Sequence, residues 1–276
     1  MPETAAKKRV AIDPAVDETR ARLDALGLNT VCEESGCPNL AECYARGAVT
    51  FLILGRVCTR DCRFCAVTHG VPAVPDPGEP ARVADAVRKA GMRYVVVTSV
   101  TRDDLADGGA GHFARTIAAL RAACPETGVE VLVPDFAGQG DAVATVVSAA
   151  PRVFGHNVET VPRLYPEARP GALYERSLGV LRAAREEGRG IAVKSGLMVG
   201  LGEEVGEVAA VFEDLAKAGV SSVTIGQYLS PSPNHLPVAR HHSEEEFAAY
   251  ERMAREAGIA KVKSGYFVRS SYNAAL

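Results

Sequence analysis

From residue 50 onward, short apolar runs alternate with amphipathic stretches of helical period, and this alternation restricts the fold of the 276-residue chain more than any other feature. Parallel strands must be joined by crossovers long enough to hold a helix, so the pattern reads as repeated βα units and a parallel sheet. Strands are predicted at 50–55, 94–98, 129–133, 152–157, 191–198 and 220–227, with helices near 79–90, 112–123, 139–149, 173–187, 204–218 and 243–257. Local signals agree: Asp141 or Gln139 starts one helix, Gly188 and Gly219 follow two others, and Ser243 with Glu246 reads as a capping box. Six such units fill only part of an eight-unit barrel, so the expected class is α/β, a partial (β/α)6 TIM-like barrel behind a cysteine-rich N-terminal extension. The expected division is 1–49 for the arm and cysteine-rich segment and 50–276 for the barrel and its tail, with polar, Pro-containing residues 1–16 as a mobile arm.

Parallel α/β barrels collect function at the C-terminal ends of their strands. The unusual polar residues fall there, in 58–65, 98–107, 156–159, 194–202 and 228–235. Gly108 and Gly109 are read as a turn before the second helix, and Gly200 and Gly202 as one before the fifth.

Six of the seven cysteines lie between Cys32 and Cys65. No apolar stretch approaches the roughly 20 residues of a membrane helix, and residues 1–16 contain no signal-peptide core. The expected compartment is the cytoplasm, where thiols stay reduced, so clustered cysteines point to metal rather than disulfides. A net charge of −3 without blocks of like charge argues against nucleic acid as a partner.

Cys58, Cys62 and Cys65 form a CxxxCxxC arrangement with Phe64 before its last member. Three close thiolates suit a cubane iron–sulfur cluster with one iron left open, a position for the amino and carboxylate groups of S-adenosylmethionine (SAM). A zinc site completed by His69 is the competing use, at a spacing unlike the common paired motifs. Cys32, Cys37 and Cys43 form a second set, CxxxxCxxxxxC, in a segment too polar for cysteines that merely pack. A second cluster or a structural zinc site fits, each with a further ligand from elsewhere. Cys124 is read as packing.

The first motif resembles the radical SAM superfamily, in which a reduced cluster cleaves SAM to methionine and a 5′-deoxyadenosyl radical. A longer series resembles the lipoyl synthases: 27–34, Cys37-Pro38-Asn39, Glu42-Cys43, 50–55, Asp103-Asp104-Leu105, Asp107-Gly108-Gly109, 156–160, 194–203, Tyr228-Leu229, 235–238 and Arg269-Ser270-Ser271-Tyr272. Two departures stand out: Tyr44 where the family commonly has Trp, and a short leading arm, which bears on how a carrier docks.

The resemblance implies two 4Fe–4S clusters, one on Cys58, Cys62 and Cys65 and an auxiliary one on Cys32, Cys37, Cys43 and Ser271, with Ser270 as the local alternative to Ser271. It places Phe64 near the adenine, Thr98 and Ser99 near the methionyl part of SAM, and Asn157 and Glu159 near the ribose, with a C-terminal tail closing the site. Packing is the alternative for Phe64, and helix capping or loop bonding for the polar four. His156 and His235 are read as orienting neighbours, Lys194 and Arg269 as meeting a polar group or solvent. The implied reaction sets sulfur into C6 and C8 of an octanoyl-lysine on a lipoyl carrier domain. A one-electron reductant such as flavodoxin or ferredoxin and an iron–sulfur carrier for repair are the implied partners, with no nucleic acid and no membrane. Another radical SAM sulfur-inserting enzyme, a non-catalytic iron–sulfur carrier and a zinc-stabilised binding module are the rivals.

Overall fold

The computed structural model describes residues 8, 13–188 and 190–274. They divide into two compact units, the first holding Lys8–Arg60, Ala66–Phe154 and the tail from Ser271, the second holding Asp61–Cys65 and Gly155–Ser270.

In the first unit, α1 (Pro14–Ala25) starts at Asp13, whose carboxylate accepts the Ala15 amide, with Pro14 in the first turn. The expected arm is corrected here: 14–16 are helical, and the rest of it, apart from Lys8 and Asp13, lies outside the described residues. The cysteine-rich stretch forms β1 (Asn29–Thr30), α2 (Val31–Glu34) and α3 (Leu40–Ala45). β1 pairs antiparallel with β2 (Thr50–Ile53), and β2, β3 (Tyr94–Ser99) and β4 (Gly128–Leu132) pair in parallel, with Leu52, Thr98 and Leu132 in one register row. All four residues of β2 are buried, which explains its unbroken apolar run: a parallel strand is covered on both faces. The crossovers are α4 (Glu79–Ala90), α5 (Ala110–Ala123) and α6 (Gly140–Ser148), and the chain leaves this unit within β5 (Val153–Gly155).

The second unit contains α7 (Tyr165–Ala168), α8 (Tyr174–Glu187), β6 (Ala192–Val199), α9 (Val205–Lys217), β7 (Ser222–Gln227), α10 (Glu244–Glu256) and β8 (Lys261–Gly265). β6, β7 and β8 are parallel, with Met198, Gly226 and Gly265 in one row. The capping box at Ser243 and Glu246 is present in both directions, and a second one joins Glu204 and Glu207 at α9. All six predicted strands and six predicted crossover helices are found, in a parallel α/β fold; β1, β8, α1, α2, α3 and α7 are additions. Among the described residues no helix is long and apolar enough to cross a membrane.

One buried carboxylate shapes the end of β2. Glu79 Oε2 accepts the Leu54 amide at 2.8 Å and contacts His112 Nε2 at 2.7 Å. Leu54 thereby holds a left-handed backbone, φ 69°, with its side chain buried. Gly109 caps α5 at φ 91°, and a Cβ there would lie 2.5 Å from Leu54 Cδ1. Gly109 is thus required by both its own backbone and the space Leu54 fills. Gly109→Ala is expected to lower unfolding stability by about 1–3 kcal/mol through overpacking and backbone strain, read as an earlier urea midpoint with an unchanged slope.

Candidate functional site

Three cysteines of the first unit are carried by two short helices and the turn between them. Thr30 caps α2 by accepting the Glu33 amide at 3.3 Å, and its hydroxyl is also 2.6 Å from the buried Tyr44 hydroxyl. The Cys37 amide donates to the Cys32 carbonyl at 3.0 Å and that of Cys43 to Asn39 at 2.9 Å. Burial, opposed by hydrogen bonding to Thr50 and aided by Cys37 and Cys43, pushes the Cys32 thiol up to about 12. Burial and then Cys37 raise Cys43. The three sulfurs are therefore electrostatic neighbours, although among the described residues no three His, Cys, Asp or Glu side chains are gathered as tightly as metal ligands. As a donor set they fit a thiolate-ligated iron centre: shielded sulfurs whose anions repel one another are stabilised by a bound cationic core.

The tail reaches the same neighbourhood. Tyr272 donates to Glu42 Oε1 at 2.9 Å, and Lys8 Nζ lies 2.8 Å from Glu42 Oε2 and 5.3 Å from the Tyr272 ring centroid. Lys8 also bonds Asn39. Lys8 first, and then Tyr272, hold the Glu42 carboxyl below its ordinary value. Burial raises the Tyr272 phenol, as do Glu42 and Cys43. Tyr272 thus stands beside Glu42, the residue before Cys43, and is one position after the partly buried Ser271.

Cys58 lies in the first unit as well. Its Sγ accepts amides from Thr101 at 3.3 Å and Arg60 at 3.5 Å, and its backbone bonds Thr68 and Gly70. Arg60 pins this loop, meeting Asp103 at 2.6 and 2.8 Å and Asp135 at 2.7 Å. The Asp135 carboxylate is fully buried, so the guanidinium is its necessary counterion. At the end of β3, Thr98 donates to the Leu132 carbonyl at 2.8 Å, whereas the buried Ser99 Oγ has no hydrogen-bond partner among the described residues. An orphaned hydroxyl fits a polar ligand, as the SAM assignment requires.

Cys62 and Cys65 lie in the second unit. The Cys65 amide donates to the Cys62 carbonyl at 2.9 Å, and between them Arg63 takes Ala168 as acceptor and Leu236 as donor. His235 bridges the Cys65 carbonyl at 3.1 Å and Ser232 Oγ at 2.8 Å, the orienting role expected for it. Phe64 packs against Ala168, Tyr228 and Leu236, in a cluster that also takes in Met198, Leu201 and Val238. Asn157 bonds Glu159 at 3.0 Å and Ser270 at 2.7 Å. Glu159, at φ 67°, is bonded through its backbone to Gly196 and Met198 of β6; burial raises its carboxyl, opposed by Arg169 and Asn157. Arg269 Nη1 donates to the Val268 carbonyl at 2.7 Å. Lys194 is buried, with its carbonyl accepting the His156 amide. Cys124 caps the end of α5, its thiol 3.8 Å from the Ala84 carbonyl, as packing predicts.

Sequence reading missed Arg60, Asp135 and Arg169. Arg60 sits inside the first cysteine motif, where the cysteines and Phe64 drew notice, and its partners are 43 and 75 positions away.

The description of the Radical SAM superfamily matches residues 52–215. The lipoyl synthase of Rubrobacter xylanophilus is 53% identical over 97% of this chain and 84% of its own length. That of Geobacter metallireducens is 55% identical over 92% and 89%. Among solved structures, Streptococcus suis SuiB bound to its precursor peptide aligns with a TM-score of 0.61 at 10% identity, over 95% of this chain and 57% of that longer one. Methylornithine synthase aligns with a TM-score of 0.55 at 13% identity, over 91% and 77%. The structural likenesses establish the fold; the sequence relatives establish more, and on their evidence the chain belongs to the lipoyl synthase family of the radical SAM superfamily.

Proposed function

We propose that the chain inserts two sulfur atoms, at C6 and C8, into an octanoyl-lysine borne by a lipoyl carrier domain, forming the lipoyl group. Cys58, Cys62 and Cys65 hold the SAM-cleaving cluster in this reading. Cys32, Cys37, Cys43 and Ser271 hold a second cluster, the source of the sulfur. The observation that supports it most is local to the first unit: the thiols of Cys32 and Cys43 are both raised by burial and by the neighbouring Cys37, and Tyr272 of the tail is bonded to Glu42 beside Cys43. Family membership gives that arrangement its chemical meaning.

When bound and reduced, the first cluster supplies the electron that splits SAM and so the radical that removes hydrogen from the alkyl chain. The protein's residues do the rest. Amides of Arg60 and Thr101 fix Cys58 Sγ, and the Arg60 ion pairs hold its loop. The apolar group around Phe64 keeps water from the neighbouring cysteines, which protects a reactive radical and brings the C–H bond close to it. Ser99 and Thr98 serve the methionyl end of SAM, Asn157 and Glu159 its ribose. Ser271, an oxygen donor on a soft centre, is the ligand most easily released. Ser270, the alternative, already has its hydroxyl engaged by Asn157.

The partners in this reading are the octanoylated carrier, a flavodoxin- or ferredoxin-like reductant and an iron–sulfur carrier that rebuilds the spent cluster, all in the cytoplasm. Residues 1–49 form the auxiliary-cluster segment and 50–276 the catalytic region.

The direct test is mass analysis of an octanoylated lipoyl-domain peptide after anaerobic incubation with SAM and a reductant. Exchange of two hydrogens for two sulfurs is expected; an unmodified peptide together with normal SAM cleavage would overturn the assignment. Cys62→Ala is expected to abolish 5′-deoxyadenosine formation. Cys37→Ala is expected to retain part of it while making no lipoyl product, and product from Cys37→Ala would remove the second cluster as sulfur source. Ser271→Ala, reconstituted without oxygen, is expected to change the auxiliary-cluster spectrum and stop sulfur insertion; a native spectrum with full conversion rules Ser271 out as ligand.

A further inference from the structure

Ser270 immediately precedes the proposed cluster ligand, yet its hydroxyl belongs to a separate set of contacts within the second unit. Asn157 Nδ2 donates to Ser270 Oγ at 2.7 Å and to Glu159 Oε1 at 3.0 Å. An amide NH2 carries two protons, and these bonds use both. The amide orientation is therefore set from two sides, leaving Oδ1 as the atom with bonding capacity to spare.

Two backbone features support the same arrangement. Glycine at 196 leaves room for the pair to meet, since a Cβ there would lie 2.7 Å from Thr224 Oγ1, 2.9 Å from Asn157 Oδ1 and 3.0 Å from Ser270 Oγ. Glu159 is held by β6 on both sides in its left-handed conformation, its amide donating to Gly196 and its carbonyl accepting from Met198. With that backbone fixed, the direction of its carboxylate depends on Asn157. Removing the Ser270 oxygen would leave an Asn157 proton unbonded and the amide free to turn, releasing Glu159 with it.

We infer that Ser270 is a positioning residue of the SAM site, orienting Asn157 and through it Glu159 for the ribose hydroxyls. The adjacent serines then divide their work: Ser271 serves the auxiliary cluster, Ser270 the co-substrate. This rests on the reading that Asn157 and Glu159 meet SAM.

The test measures SAM binding by equilibrium dialysis on anaerobically reconstituted protein, alongside the auxiliary-cluster spectrum. Ser270→Ala is expected to raise the Kd for SAM about tenfold, the value of one well-made hydrogen bond, and to leave the spectrum unchanged. Ser270→Thr, which keeps the hydroxyl, restores binding to within about twofold on the same reasoning. Asn157→Ala weakens binding as well, and adding Ser270→Ala to it has no further effect, because the two act through one bond. Should Ser270→Ala not fold, Ser270→Cys carries the same expectation, a thiol being a weak acceptor. Normal SAM affinity in Ser270→Ala beside weakened Asn157→Ala would overturn the positioning role alone. Normal affinity in Asn157→Ala would overturn the ribose reading and the inference with it. A Ser270→Ala protein that loses the auxiliary spectrum as Ser271→Ala does would also overturn the inference.

Discussion

A sulfur anion shielded from water is stable only beside positive charge, and Cys32 is the side chain on which this constraint bears hardest. Without a cationic core the buried thiol stays protonated, and its neighbours Cys37 and Cys43 deepen that preference. Little else in the segment compensates. α2 has four residues and α3 six, too short to be stable by themselves. The ion pairs around them, Arg20 with Glu33 and Lys8 and Arg46 with Glu42, are partly exposed and individually weak. Thr30 and Tyr44 contribute the buried polar contact between these pieces. If these cysteines hold the proposed second cluster, its loading and the final order of this segment are linked equilibria, as in other small metal-dependent folds.

The loop after β2 follows a different logic. Arg60 is almost wholly buried between two carboxylates, and Cys58 Sγ already receives two amides, so this thiol is oriented by contacts independent of any cluster. In the proposed reading, one cysteine set gains its order with its metal while this loop is preorganised for it. The division suits the proposed chemistry, in which one cluster survives each turnover and the other is consumed.

The crossover framework was legible because its helices are long enough for their hydrophobic period to show and its strands, even the short β2 and β5, fall as apolar runs between them. β1 has two residues and α2 four, below any period, and β8 reads Lys-Val-Lys-Ser-Gly, with lysines masking the strand. α1 escaped notice for a related reason: its one buried residue is Leu23, so it has no apolar stripe. In the site, cysteines announce themselves by type and spacing. The Asn157–Ser270 bond spans 113 positions and the Tyr272–Glu42 bond 230, and no local pattern encodes such pairs. Arg60 looked like a spacer because its counterions are contributed by two other loops.

Glu159 holds a backbone conformation that costs most side chains energy, and glycine would adopt it without strain. Selection for thermal stability alone would therefore favour losing this carboxylate. Engineering campaigns that rank substitutions by folding free energy would score glycine at 159 as an improvement, although in the proposed reading it removes a contact to the SAM ribose. On that reading, Glu159 is a place where this fold gives up robustness to retain chemistry.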